Sequence, residues 1–437
     1  MTYDDAIAFW YGRINYEVRA ATPADLKLER MCALLARVGD PHRRVRTVHV
    51  TGTKGKGSTA AMIAAVLRAN GYRVGLFTSP HLIRVEERIQ VDGVPISSAE
   101  LTARIEQLVP AVEQLEQTGP PPTFFEIGTA LGFLHFVHRR CDVAVVEVGL
   151  GGRFDSTNVC HPLVSIVTSV GLDHMAQLGN TVESIAYQKA GIFKPGVPAV
   201  SGVTASGPRG VIEQVAAEGH TPLVQAGVDF EFEYDPVGQT VTIPPHPPYQ
   251  LGLLGRHQGA NAAVAVAALE QLRKRGLPIS DRALRQGLAG VRWPARIELV
   301  SEKPAIVLDT AHNVPSVEAL LDTLSACLPV RGRKAVVFAV SSDKQYPEML
   351  KLLAGYFDDF HLTKYGNNPR CVPPEALADL LAGVTPQKRR AVYGTAAEAW
   401  AAARRAAGPE DLVCVTGSVF LAGELQTLVG ESPVGVY

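Results

Sequence analysis

Val48-His-Val-Thr-Gly-Thr-Lys-Gly-Lys-Gly-Ser-Thr59 is the stretch that decides the fold. An apolar, β-forming run over residues 45–50 leads into it, and a helical pattern over 58–68 follows, closed by Asn70-Gly71. Strand, glycine-rich turn, lysine and helix start in that order make a phosphate-binding loop. Backbone N–H groups and the positive helix end face the anion, glycines let the chain approach it, and Lys56 adds a mobile charge. The pattern is irregular. Val50, separated by four residues from Gly55-Lys56, stands where the first glycine of the usual motif falls, and Gly57 holds the normal Ser/Thr position.

Outward from this loop, strand-like runs at 47–50, 73–77, 143–148 and 163–167 alternate with helical patterns, notably 98–117 and 124–140. That is the βαβ rhythm of a doubly wound, mostly parallel sheet. Between 199 and 254 glycine, proline and β-formers suggest short antiparallel strands, and a helix is expected over 258–275. After Val291-Arg-Trp-Pro-Ala-Arg296 the alternation restarts, with strands at 305–308, 334–340, 359–363 and 412–416. The expected division is a P-loop α/β domain over 1–297 and a smaller α/β domain over 298–437.

Composition narrows the function. The chain has 437 residues, 46% apolar and 19% charged, with a net charge of −1, so neither a basic nucleic-acid surface nor an acidic tail is expected. No signal-peptide core or bilayer-length apolar run is visible, which makes cytoplasmic residence the default and membrane association unexpected. Six scattered cysteines, with no C-x-x-C pair, argue against a disulfide framework or a zinc site. Phosphoryl chemistry needs a divalent ion held by hard ligands. Glu147 ends an apolar strand, as such a carboxylate often does, and Asp173-His174 follows another. Taken singly, Glu147 is a capping acid beside a glycine turn, His174 a solvated ring, and Lys189 a helix lysine.

The ordered series changes those readings. Thr78-Ser-Pro-His-Leu82, Glu87-Arg-Ile89, Thr123-Phe-Phe-Glu126, Glu147-Val-Gly-Leu-Gly-Gly-Arg153, Thr157-Asn158, Asp173-His174, Leu178-Gly179 and Lys189-Ala-Gly-Ile192 follow the loop. Then come His257-Gln258 with Asn261, Trp293-Pro-Ala-Arg296, Leu308-Asp-Thr-Ala-His-Asn313, Asp343-Lys344 and Thr416-Gly-Ser418. The series, spread over nearly the whole chain, resembles the folylpolyglutamate synthase and dihydrofolate synthase family, within the Mur-ligase-like group.

The resemblance implies an ATP-dependent amide ligase. ATP would phosphorylate the carboxylate of a folate or dihydropteroate, and the amine of L-glutamate would attack the acyl phosphate. It implies ATP contacts at Gly52, Thr53, Gly55, Lys56, Gly57, Ser58, Thr59, Asn261, Arg296 and Asp309. Ser79, Glu147 and His174 match ligands of two magnesium ions, and Lys189 matches a lysine carried as a carbamate. Lys56, Lys189 and His312 are the catalytic candidates, with His312 and Ser418 near the glutamate. Phe125, with Phe124 and the loop after Pro80, is a candidate pterin contact. A C-terminal glutamate ligase domain and a monomer are expected. Departures from the family pattern include Lys54, Gln188, Ala295, Thr310 and Val314. A ligase acting on a cell-wall precursor is the rival within the group, opposed by Gly-Lys-Gly-Ser and Thr78-Ser-Pro-His. A P-loop kinase or NTPase would not need the second domain, and a non-catalytic ATP binder would not need Lys56, Glu147, His174 and Lys189 together.

Overall fold

The computed structural model describes residues 1–16, 27–366 and 368–430. Contacts divide the chain into two compact units. The first comprises Met1–Glu233, Val241–Gln250 and Gly259–Val291; the second comprises Tyr234–Thr240, Leu251–Gln258 and Arg292–Tyr437.

Eight strands form the sheet of the first unit: β1 Arg46–Thr51, β2 Val74–Phe77, β3 Ile89–Val91, β4 Val94–Pro95, β5 Val143–Glu147, β6 Val164–Val167, β7 Ala199–Ser201 and β8 Leu223–Gln225. Their order is β4-β3-β2-β5-β1-β6-β7-β8. The run from β2 to β8 is parallel, while β3 and β4 add an antiparallel edge. Strand β5 reads Val-Ala-Val-Val-Glu and is buried throughout, the composition expected of a strand covered on both faces. Register sets Val50 of β1 opposite Glu147 of β5, so the two strands end together. Ligands of parallel α/β sheets bind beyond such carboxyl ends.

Close packing holds a helix behind the loop. The helix Asp281–Gly290 crosses Lys56–Ala69 at Gly287, where a methyl group would collide with the Val66 backbone. A second core lies under helix Phe124–His138, with Trp10, Phe77, Phe124, Phe133 and Phe136.

The reading of 199–254 needs correction. Residues 199–225 continue the parallel sheet as β7 and β8, joined by the helix Ser206–Glu218. Gly207, Pro208 and Gly210 obscured it; Gly207 and Pro208 fall in the first turn, where proline needs no intrahelical N–H bond, and Gly210 directly follows it. Short strands do follow: β9 Glu233–Asp235, β10 Thr240–Thr242 and β11 Tyr249–Gln250, in the order β11-β10-β9.

The main sheet of the second unit has six strands among the described residues: β12 Glu298–Glu302, β13 Ala305–Leu308, β14 Lys334–Phe338, β15 Asp359–Leu362, β16 Arg389–Val392 and β17 Leu412–Thr416. They run β12-β13-β17-β14-β15-β16, parallel except for β12. Val336, Phe338, Leu353 and Phe360 are among its core residues.

Candidate functional site

In the first unit the chain leaves β1 at Thr51 and enters the helix Lys56–Ala69 at Lys56. Gly55 is the N-cap, with φ 81°, so no side chain caps the first-turn N–H groups and the left-handed backbone favours glycine. A side chain at Gly55 would strike the Asn261 amide, and one at Gly52 would strike Thr168. The loop is strapped to the segment after β6. Thr53 N donates to Ser169 O (2.9 Å), and Lys54 N donates to Ser169 Oγ (2.9 Å). The hydroxyls of Thr168 and Ser169 in turn donate to Lys54 O at 2.6 and 2.9 Å. Ser58 and Thr59 are buried in the first helical turn.

The adjoining cleft is lined by Thr51, Gly52, Thr53, Lys56, residues 148–151, Asp173, His174, Leu178 and Lys189. Lys56, His174 and Lys189 are therefore brought together. Lys56 Nζ lies 4.0 Å from Glu147 Oε1, and Ser79 N lies 3.4 Å from Glu147 Oε2, which sets Ser79 and Glu147 beside this cleft. His174 has φ 49° at the start of the short helix Met175–Leu178, and its side chain is 57% exposed. Asp173 sits between charges, 3.8 Å from both Lys54 Nζ and His174 Nε2. Burial pushes the Asp173 carboxyl up, but His174, Lys54 and Lys56 outweigh it and hold it below its ordinary value.

Lys189 is one residue from the end of the helix Val182–Ala190, whose start is capped by Thr181 accepting from Ser184 N. Only 4% of the residue is exposed. Burial, and then the Lys56 charge, push its amine down to about 7, while Asp173 and Asp155 pull the other way. Among the described residues no hydrogen bond or ion pair reaches its Nζ. The glycine turn beside it is shaped by Asp155, which accepts from Leu150 N (2.8 Å) and Thr157 N (3.0 Å). Burial holds the Asp155 carboxyl above its ordinary range against those bonds.

Phe125 covers Gly149, where a methyl group would meet its ring, and lies 5.9 Å from Phe77. Phe124 belongs to the core: 1% exposed and stacked at 4.9 Å on Trp10, it has no face for a ligand.

In the second unit, Asp309 follows β13 and is 5% exposed. Its carboxylate accepts from Ala311 N (2.6 Å), Ile297 N (3.0 Å) and Thr416 Oγ1 (3.3 Å), and burial raises its pKa. Arg296 donates to Thr310 Oγ1, which itself donates to Ala295 O (3.2 Å). His312 Nδ1 is 2.8 Å from Thr310 O. Ser418 is buried and caps the helix Val419–Val429 by accepting from Phe420 N (3.1 Å). Arg296, Asp309, Thr310 and His312 thus share one hydrogen-bonded turn.

Four residues around the cleft had no role in the sequence reading. Thr168 and Ser169 carry the strap, Asp155 shapes the turn, and Leu178 lines the cleft. Two signals were visible: the polar pair Thr168-Ser169 directly after the strand β6, and the motif Leu178-Gly179.

The likeness to known proteins extends over both units. A family model described as the Mur ligase middle domain matches residues 50–269, and one described as the Mur ligase, glutamate ligase domain, matches 295–419. The dihydrofolate synthase/folylpolyglutamate synthase of Bacillus subtilis (strain 168) is 43% identical over 373 residues, 83% of this chain and 85% of its own length. The folylpolyglutamate synthase of Lacticaseibacillus casei is 35% identical, covering 98% of this chain and 99% of its own. Among solved structures, E. coli FolC in complex with DHPP and ADP has a TM-score of 0.85 at 32% identity, covering 98% of both chains. Mycobacterium tuberculosis folylpolyglutamate synthase complexed with ADP has a TM-score of 0.87 at 31% identity, covering 99% of both.

Proposed function

The chain belongs to the folylpolyglutamate synthase and dihydrofolate synthase family of the Mur ligases, and from that premise we propose how its residues join L-glutamate to a folate or dihydropteroate. It is an ATP-dependent ligase. The observation that carries the site assignment is the convergence of Lys56, Asp173, His174 and Lys189 on the cleft beside the glycine loop.

In this reading the uncapped first turn at Gly55–Thr59 binds the nucleotide phosphates through backbone N–H groups, with Lys56 Nζ as counter-ion. Transfer of the γ-phosphoryl group to the acceptor carboxylate gives an acyl phosphate and ADP. The glutamate amine then attacks the acyl carbon, loses a proton and expels phosphate. Asn261, packed against Gly55, and Arg296 are assigned to the nucleotide. Asp309 serves that side by fixing the backbone at Ile297, next to Arg296. His312 and Ser418 are assigned to glutamate, and Phe125 to the acceptor ring.

Ser79, Glu147 and His174 would hold magnesium, assigned as two ions. The residue types fit, a hydroxyl, a carboxylate and an imidazole, and the Ser79 backbone N–H donates to Glu147 Oε2 (3.4 Å), which keeps the two residues adjacent. Among the described residues no three His, Cys, Asp or Glu side chains form a protein cage. When bound, magnesium neutralises charge developing on the phosphoryl oxygens. Lys189, whose amine is pushed down to about 7, would first lose one proton to the solvent, and the neutral nitrogen would then add to CO₂, forming the N–C bond and releasing a second proton, so that a buried cation becomes an anionic carbamate. No helix of the described residues is long and apolar enough to cross a membrane; cytoplasmic residence and a monomeric state complete the proposal.

The test is nucleotide turnover. ADP release is expected only with glutamate and a folate or dihydropteroate both present. Equal release without either substrate would contradict the ligase reading.

A further inference from the structure

The paired residues Thr157-Asn158 stand out in the sequence, and the mechanism above leaves Asn158 without a task. The residue is 6% exposed, and its amide joins two backbone segments and a lysine side chain. Nδ2 donates to Arg153 O (2.9 Å), at the end of the glycine turn, and to Gly191 O (3.1 Å), two residues beyond Lys189. Oδ1 accepts from Lys194 Nζ (2.8 Å), which also donates to Asn158 O (3.0 Å). All three polar directions of the amide are therefore engaged, and the group has one orientation.

The surfaces it clamps already touch. A methyl group on Gly152 would collide with the carbonyl oxygens of Gln188 and Lys189, and one on Gly191 would collide with Arg153. Arg153 N donates to Gln188 O (2.8 Å), and Ser165 Oγ donates to Ile192 O (3.1 Å). Arg153 Nη2 also donates to Tyr187 O (3.4 Å), so both of these bonds from the turn to the helix end start at Arg153. The Asn158 amide supplies two more bonds, and Lys194 sets its angle. Lys194 is itself partly buried, and burial lowers its pKa. An ammonium kept in such a place needs its two Asn158 oxygens, so anchor and clamp depend on each other.

We propose that Asn158, oriented by Lys194, is a positioning residue that locks the helix end carrying Lys189 against the glycine turn of the cleft. It touches neither nucleotide nor acceptor. The inference rests on Lys189 taking part in the reaction, as assigned above.

Three variants of the full-length enzyme test it. Asn158→Ala removes the clamp. Asn158→Asp keeps an acceptor for Lys194 but loses both donors. Lys194→Met keeps the amide and removes its anchor. A misplacement of about 1 Å at a reacting group costs up to about 10²-fold. Expected results are a loss in kcat of about tenfold or more for Asn158→Ala and Asn158→Asp, and about threefold for Lys194→Met. The KM for ATP should stay within about twofold, because the nucleotide loop is strapped elsewhere. A variant that merely unfolds would lose active enzyme with the same residual pH profile and melt early. Lys194→Met keeps the question open to measurement if Asn158→Ala does not fold.

A second readout avoids turnover. With ¹³C-bicarbonate, NMR of the wild type should show a carbamate signal that is absent in Lys189→Ala, and Asn158→Ala should weaken it at equal bicarbonate. Absence of the signal in the wild type would remove the carbamate assignment alone, and the kcat split would still judge Asn158. A folded Asn158→Asp with wild-type kcat would overturn the positioning role, as would parallel losses in kcat and ATP affinity.

Discussion

Lys189 in the first unit and Asp309 in the second are both almost wholly buried at the ends of regular elements, yet their surroundings differ in kind. Asp309 is answered by its own fold: two backbone N–H groups and the Thr416 hydroxyl point at its carboxylate. Lys189 has no hydrogen bond to its amine among the described residues, and its nearest charges are mixed, with Lys56 opposing Asp173 and Asp155. A buried charge met by the protein's own groups costs little to keep, whereas one without such partners costs stability, which makes it a candidate for chemistry. The sequence motifs assign Lys189 to catalysis and Asp309 to ATP, and the two surroundings predict different costs for replacing each.

The largest effect that would sharpen this contrast concerns the charge facing Lys189. Lys56→Ala removes the mobile counter-ion from the phosphate loop and should lower turnover about 10³-fold, with melting little changed. Near-normal kcat in steady-state assays would remove Lys56 from the mechanism. On the structural side, Asp309→Ala leaves the N–H groups of Ile297 and Ala311 without their acceptor. Urea unfolding should show the second unit destabilised by about 3 kcal/mol. A stable variant that fails only in nucleotide affinity would instead make Asp309 a direct ATP contact.

The smallest effect tests whether an unsatisfied group away from the cleft behaves as a stability defect alone. His135, on the helix Phe124–His138, is fully buried, and neither ring nitrogen has a partner among the described residues. Burial depresses its pKa from 6.5 to about 4, against the pull of Glu100. The unfolded chain therefore binds the proton first as pH falls, and stability is lost from about pH 6.5 down to about 4. Melting curves of His135→Leu should show a flatter acid limb with kcat unchanged at neutral pH.

Much of this was legible in the chain. The glycine loop, the Val-rich strands and the restart of alternation after Trp293 follow from local pattern, because parallel strands buried on both faces are written as apolar runs. The helix Ser206–Glu218 was not, since its proline is harmless only at a first turn, and only the structure shows where that turn begins. The roles of Asp309 and Asn158 were also hidden. Both act on backbone groups far away in sequence, Ile297 in one case and Gly191 in the other, and a side chain aimed at backbone leaves no residue pattern at its target. The strap from Thr168 and Ser169 to Lys54 is of the same type.

The distinction between the two buried charges is tested most directly by Lys189→Met, scored for melting temperature and turnover in the same preparation. Methionine fills a similar volume without the charge. The expected result is a melting temperature equal to or above the wild type, with turnover reduced about 10²-fold or more. A protein that melts several degrees lower, or one that keeps its turnover, would contradict the account.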